Sequence, residues 1–184
     1  MATFHQWQAL QRARIKYKRL LPYLQKDHRY LDIGVGNGAL TYLFQQAGLS
    51  VTAIDVIDKS LFPTIRPLCF DGQQLPFADN SFDGTLLTTV LHHVHDVEGL
   101  LREAQRVTRH EMLIMEDIYT HAWQRWLTWQ MDSLVNAEWR GHPHNNRKHE
   151  GWLSLFNALG MQVRSYQFHR LGGLFLQVTY RLQP

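Results

Sequence analysis

The residues best suited to chemistry lie close together near the start of the chain. Asp32, Gly34, Gly36 and Gly38 stand at alternate positions, and an acid, Asp55, follows about twenty residues later. Glycines at this spacing let a backbone turn sharply and let a ligand approach the main chain closely. The amides that open the next helix then face the ligand. An acid at the end of the next strand can accept hydrogen bonds from both hydroxyls of a ribose. The chemistry implied is the holding of a nucleoside. Gly34, Gly36 and Ala39 also satisfy the dinucleotide fingerprint G-x-G-x-x-G/A, so an NAD-type ligand remains open at this point. So does a plain structural reading, in which the glycines only permit tight strand–helix packing.

The elements that position these residues alternate between strands and helices, which predicts an α/β fold with a parallel sheet. Residues 30–33 read as a short buried strand that runs into the glycine turn, and a helix follows over 39–47. Residues 49–55, rich in β-branched side chains, form a second strand ending in Asp55. The stretch 59–66 is short and contains Pro63, so any helix there is stunted. A brief third strand covers 68–72 and a fourth covers 83–89. A helix over 97–107 carries Leu100, Leu101, Ala104 and Val107 on its apolar side. A fifth strand over 112–116, a helix over 151–159, a sixth strand at 160–163 and a last one over 174–182 complete the pattern. Ahead of it all, the first 29 residues predict a basic helix. Its stripe is Trp7, Leu10, Ile15, Leu20, Leu21 and Leu24, and Pro22 kinks or splits it.

Two stretches together carry a family resemblance. Asp32-Ile33-Gly34-Val35-Gly36-Asn37-Gly38 resembles the first motif of the class I S-adenosylmethionine (SAM) methyltransferases. Asp71-Gly72-Gln73-Gln74-Leu75-Pro76-Phe77, running on to Ser81-Phe82-Asp83, resembles the stretch between the third and fourth strands of the small-molecule methyltransferases called type 11. Leu91-His92-His93-Val94 and Leu101-Arg102-Glu103-Ala104-Gln105-Arg106-Val107 are similar to later elements of that family. The resemblance is strong over 30–117 and covers 150–184 in outline. It implies a Rossmann-like, doubly wound, seven-stranded sheet, mostly parallel with an antiparallel last strand. It also implies SAM as cofactor, with S-adenosylhomocysteine as product.

Carried over residue by residue, the cofactor-contacting set is Asp32, Gly34, Gly36, Asn37, Gly38, Asp55, Val56, Asp71, Gly72 and Thr88. Within it Asp71 and Gly72 recognise adenine and Val56 packs on its ring face. The three neighbouring histidines, His92, His93 and His95, close over the methionine end of the cofactor. His93 is the candidate catalytic residue facing the acceptor, although a packing histidine is the plainer reading of it. No metal is expected, because no carboxylate or cysteine cluster completes a site around them. Two departures stand out. Thr88-Thr89-Val90-Leu91 occupies the place of the Asn/Asp-Pro-Pro-aromatic turn used for amino groups of adenine or glutamine, which disfavours those acceptors. Arg109-His110-Glu111 replaces the family's Pro-Gly-Gly turn.

Composition sets the bounds. The chain has 184 residues, 45% hydrophobic and 19% charged, which suits one globular domain over 1–184. No apolar run approaches the ~20 residues of a membrane helix, and the N-terminus lacks signal-peptide form. Cys69 is the single cysteine, so no internal disulfide is possible, and a cytoplasmic location is expected. The net charge of +3 is uneven: residues 1–30 carry +6, 31–118 carry −7 and 119–184 carry +4. No nucleic-acid-binding module surrounds the basic residues, so a solvated helix face is expected rather than a nucleic-acid partner.

The insertion at 119–150 holds Trp123, Trp126, Leu127, Met131, Leu134 and Val135 in a stripe, then His142, His144 and Arg147. It could line a pocket for an apolar or aromatic small-molecule acceptor, form a homodimer face, or be core in a monomer. The expected function is methyl transfer from SAM to such an acceptor. The alternatives are a SAM-binding module that acts through a protein partner and an NAD-dependent oxidoreductase.

Overall fold

The computed structural model describes residues 3–119, 147–171 and 175–184. Seven strands form one sheet: β1 (Arg29–Ile33), β2 (Ser50–Asp55), β3 (Leu68–Cys69), β4 (Phe82–Thr88), β5 (Thr108–Ile118), β6 (Gln162–Leu171) and β7 (Phe175–Gln183). Their order is β3-β2-β1-β4-β5-β7-β6. The first five are parallel, and β7 runs antiparallel to both β5 and β6. Beneath this lies a simple cause. Strands β1 and β4 are buried along nearly their whole length, as parallel strands covered on both faces must be. The expected Rossmann-like doubly wound sheet is therefore observed.

Register brings the chemistry to one edge. Ile33 pairs with Ile54 on one side and with Leu87 on the other. The residues that follow each strand thus meet at the carboxyl edge, where open parallel sheets bind ligands. Residues 59–66 form no helix, and β3 is a two-residue edge strand. Arg109-His110-Glu111, which stands in place of the family's turn, lies inside a fifth strand that starts earlier than the expected residue 112. Helix α3 (Val97–Val107) passes directly into β5, which begins at Thr108 and pairs there with Phe82.

Helices cover both faces. Leu100, Leu101, Ala104 and Val107 of α3, with Trp152 and Phe156 of α4 (His149–Ala158), pack on Met112, Ile114, Val178 and Tyr180. On the other face Leu20 of α1 (Phe4–Leu20) and Phe44 of α2 (Ala39–Gln46) pack on Leu86, Leu113 and Met115.

Helix α1 departs from its expected packing. Thr3 and Gln6 form a capping box at its start, and Pro22 lies in a 3-10 turn that ends it. Its buried residues are Ala9, Ala13 and Leu20, while Trp7 (54% exposed) and Ile15 (48%) of the predicted stripe face outward. Alanine lets α1 approach α2 closely, where bulkier side chains would hold it off. The helix crosses the carboxyl edge. Gln6 Nε2 donates to the Leu61 carbonyl (2.6 Å) beyond β2, and Lys16 and Arg19 reach β4 and β7. Arg12, Arg14 and Lys18 are solvated as expected, but Lys16 and Arg19 are turned inward.

The tryptophan stripe of the insertion, with His142 and His144, lies outside the described residues, as do Gly172 and Gly173. Arg147 is described, and its guanidinium carbon sits 5.7 Å from the centre of the Trp152 ring. Among the described residues no helix is long and apolar enough to cross a membrane.

Candidate functional site

The glycine turn is tied to the strand beside it. Gly34 N donates to the Ile54 carbonyl (2.9 Å), and Gly36 N donates to Asp55 Oδ2 (2.8 Å). Gly34 has φ +77°, and a Cβ placed there would lie 2.2 Å from Val90 Cγ2. At Gly36, φ +54°, a Cβ would meet nothing within 4 Å. The two positions need glycine for different reasons: the first packs against β4's outgoing loop, and the second faces open space. Gly38, also left-handed, precedes α2 as its N-cap residue. Asn37 Oδ1 accepts from Ala39 N (3.1 Å), and its carbonyl accepts from Leu61 N (3.0 Å).

Asp55 closes the second side. Its Oδ1 accepts from Val56 N (2.7 Å), so one oxygen holds the turn at Gly36 and the other caps the end of β2. Val56 and Ile57 are more than half exposed and form an apolar shelf. Gly72 lies against that shelf: a Cβ there would stand 3.2 Å from Val56 Cγ1. Asp71 is exposed, and its Oδ1 accepts from Gln73 N (2.8 Å) and Gln74 N (3.1 Å). These bonds hold its carboxyl below the usual range. The rest of the family-like segment is clamped by α3. Arg106 donates to the carbonyls of Leu75 (3.0 Å) and Phe77 (2.8 Å) while ion-paired to Glu103 and Asp79.

Asp32 is buried beneath the turn, where its Oδ2 accepts the Thr41 hydroxyl (2.6 Å). Burial pushes its carboxyl up to about 6; the Thr41 bond opposes that rise and the Asp55 charge adds to it. Below about pH 4 the group is protonated folded or unfolded, and it contributes nothing. Between about 4 and 6 only the unfolded chain ionises, so stability falls as pH rises, by roughly 3 kcal/mol from this group. Asp32→Asn removes that titration. In denaturant melts, its unfolding free energy relative to wild type should improve by roughly 3 kcal/mol from pH 4 to pH 7. A pH-independent difference would refute the raised value.

The carboxyl end of β4 supplies the third side. Thr88 is buried, and its hydroxyl has no partner among the described residues. Thr89 has a left-handed backbone (φ +53°), donates its N–H to the Met115 carbonyl (2.6 Å) and accepts Lys16 Nζ at 2.6 Å. Next, Glu116 on β5 gathers the outgoing loop. Its Oε1 accepts from Val90 N (2.8 Å) and Leu91 N (2.7 Å), and its Oε2 accepts from His92 Nδ1 (2.7 Å).

The three histidines are thus separated. His92 is buried on Glu116, His93 is half-buried with its ring 4.0 Å from that of His92, and His95 is exposed. Glu116, Lys16, Asp117 and Gln177 were absent from the sequence-derived site. For Glu116 a signal existed: an acid within the apolar run Met112–Met115 and Ile118 must be buried and partnered. Two strands from the turn, a cavity of about 660 Å³ lies at the end of β5, bounded by Ile118, Tyr119, His149, Phe168 and Leu176.

Comparison with known proteins points to methyltransferases. A family model described as "Methyltransferase domain" matches residues 31–115. Among curated relatives, the demethylmenaquinone methyltransferase of Renibacterium salmoninarum is 36% identical over 87 residues, 44% of this chain and 37% of that protein. The corresponding protein of Corynebacterium glutamicum is 32% identical over 90 residues, 47% of this chain and 39% of that one. The chain thus spans less than half the length of the curated relatives it matches. In fold, it is similar to a SAM-dependent methyltransferase from Archaeoglobus fulgidus, with TM-score 0.74, 15% identity and 94% of each chain covered. The magnesium protoporphyrin IX methyltransferase of Synechocystis, solved with bound S-adenosylhomocysteine, has TM-score 0.67 at 14% identity, covering 95% of this chain and 83% of that one. The cyclase SpnF shares the fold as well, with TM-score 0.71 at 14% identity, covering 93% of this chain and 80% of that one. From its first strand to its fifth, the chain is similar in sequence to the methyltransferase domain family, and its fold is the one shared by the SAM-dependent methyltransferases of known structure.

Proposed function

We propose that this protein transfers the methyl group of SAM to a small-molecule acceptor by in-line displacement. The observation that carries the reading is the Asp55 carboxylate, which bonds the glycine turn at Gly36 N and borders both open space and the Val56 shelf. The residues fit the cofactor. The buried hydroxyl of Thr88, which has no partner among the described residues, is a polar group that a ligand can satisfy. The space above Gly36 admits a close backbone approach. When bound, SAM supplies an electrophilic methyl on a sulfonium that leaves as a neutral thioether.

The chain's residues then hold, aim and exclude water. Gly34, Gly36, Asn37 and Gly38 shape the cradle, and Asp32 supports it from below. Asp55 accepts from the ribose hydroxyls. Val56 and Gly72 flank the adenine, and Asp71 receives its amino group. Holding acceptor and methyl in attack geometry contributes about 7–11 kcal/mol, so little other catalysis is needed. A base is required only for a hydroxyl or carbon acceptor, and His93 is the candidate for that role. The relatives named demethylmenaquinone methyltransferases support an aromatic, quinol-like acceptor.

Titration calorimetry with S-adenosylhomocysteine and, separately, NADH tests the reading. S-adenosylhomocysteine should bind and NADH should not. Asp55→Ala should weaken S-adenosylhomocysteine by about 100-fold, because hydrogen bonds to a charged acceptor are worth about 1.5–3 kcal/mol. NADH binding alone would move the assignment to a dinucleotide enzyme.

A further inference from the structure

We propose that the outward face of helix α1 docks the protein on an anionic lipid surface. Docking of this kind does not require the methyl-transfer reading, and it is measured without cofactor.

Residue order along α1 sets this face. Ala9, Ala13 and Leu20 are buried against the domain, so the opposite side of the helix points to solvent. Phe4, Trp7, Gln11, Arg14 and Lys18 recur there at helical spacing, in a line about 21 Å long with Ile15 beside it. The line has two halves. Phe4 (67% exposed) and Trp7 (54%) stack with ring centroids 6.3 Å apart and planes 19° apart. Leu61, also exposed and joined to Gln6 through its carbonyl, extends this apolar end. Arg14 and Lys18 form the other end with Arg12 at its flank, all three exposed.

Two features separate this face from an ordinary solvated one. Solvated helices usually interleave acids with bases on neighbouring turns. Helix α1 carries five Lys/Arg and no Asp or Glu, and among the described residues no ion pair involves Arg12, Arg14 or Lys18. The second feature is the stacked aromatic pair held in water, where its apolar area is unfavourable. Trp and Phe beside Lys and Arg on one helix is the composition that settles at a lipid interface. The rings enter the boundary of headgroups and acyl chains, and the cations meet the phosphates. Shape agrees, because the outside of a helix is convex and meets a plane, whereas a nucleic-acid strand or a peptide is held in a groove. A second copy of the chain would bring the same uncompensated cations against it. The helix runs along the carboxyl edge, from Leu61 beyond β2 to Thr89 beyond β4 and Gln177 on β7. Docking therefore turns that edge toward the bilayer, which lets an apolar acceptor arrive from the lipid.

Vesicle flotation of the full chain tests the docking. Vesicles of phosphatidylcholine alone are compared with vesicles containing about a third phosphatidylglycerol. Wild type should float with the anionic vesicles and partition about 10-fold or more weakly onto the neutral ones. Two paired variants separate the halves of the face: Phe4→Ser with Trp7→Ser, and Arg14→Gln with Lys18→Gln. All four positions are exposed, and thermal melts should show both variants as stable as wild type. Each pair should lower partitioning onto anionic vesicles by about 10-fold or more, and added salt should weaken wild type as well. Absence of flotation, or flotation that neither pair changes, would overturn the proposal. Loss with the cation pair alone, matched by retention of a single-stranded oligonucleotide, would make the face a general polyanion site and overturn it too. So would a dimer, seen by light scattering, that either pair dissociates, because a second copy would then be the occupant.

Discussion

Glu116→Ala is expected to cost about 3–5 kcal/mol of stability, the range for removing one partner from a buried, hydrogen-bonded charge. For a chain of this size that is about 10 °C in melting temperature. The reason is local. Glu116 is fully buried and accepts from Val90 N, Leu91 N and His92 Nδ1, all on the loop that leaves β4. Alanine strands two backbone donors and an imidazole where water does not reach them. Glu116→Gln should cost much less, about 1–2 kcal/mol, because its carbonyl can still accept from the two amides while its NH2 faces the imidazole. Chemical denaturation of the three proteins measures both. A cost under about 1 kcal/mol for the alanine would show that the loop is held by packing alone. Affinity for S-adenosylhomocysteine should fall along with stability, since Thr88 and Val90 belong to the same turn.

Gly34→Ala is expected to be the most damaging substitution in the glycine turn, at about 3 kcal/mol or more. Two terms add. The left-handed backbone at φ +77° disfavours any side chain by about 1–2 kcal/mol. A Cβ there would also stand 2.2 Å from Val90 Cγ2 and 2.9 Å from Val90 Cβ, an overpacking that costs about 1–3 kcal/mol. The second term can be tested separately. Val90→Ala in the Gly34→Ala background removes the nearer contact and should recover roughly half of the loss, while the backbone term stays. Simple additivity of the two single substitutions would mean that Gly34 and Val90 do not meet.

Both predictions depend on β4's outgoing loop, and the sequence says little about that loop. Its residue types suggest histidines closing over a ligand, with His93 foremost among them. The structure instead buries His92 on Glu116 across 24 residues of chain. Nothing local in Leu91-His92-His93-Val94 distinguishes the imidazole that turns inward, because that depends on which strand lies alongside.

The parts legible in the sequence are those encoded by neighbours along the chain. The buried run into the glycine turn, the β-branched strand ending at Asp55 and the apolar side of α3 are short-range patterns. Strand and helix periods, together with the backbone freedom of glycine, write them directly into residue order. Their alternation implied the parallel sheet and its carboxyl edge, and that placed Gly34, Gly36 and Asp55 together. The inward turn of Lys16 was decided otherwise. On α1 the bulkiest apolar residues suggested one buried face, but the small Ala9 and Ala13 took it, because close approach to α2 demanded small side chains. That rotation carried Lys16 to Thr89, 73 residues away. A helix can present any of several faces at little cost in its own geometry, so only its packing against the completed sheet selects one.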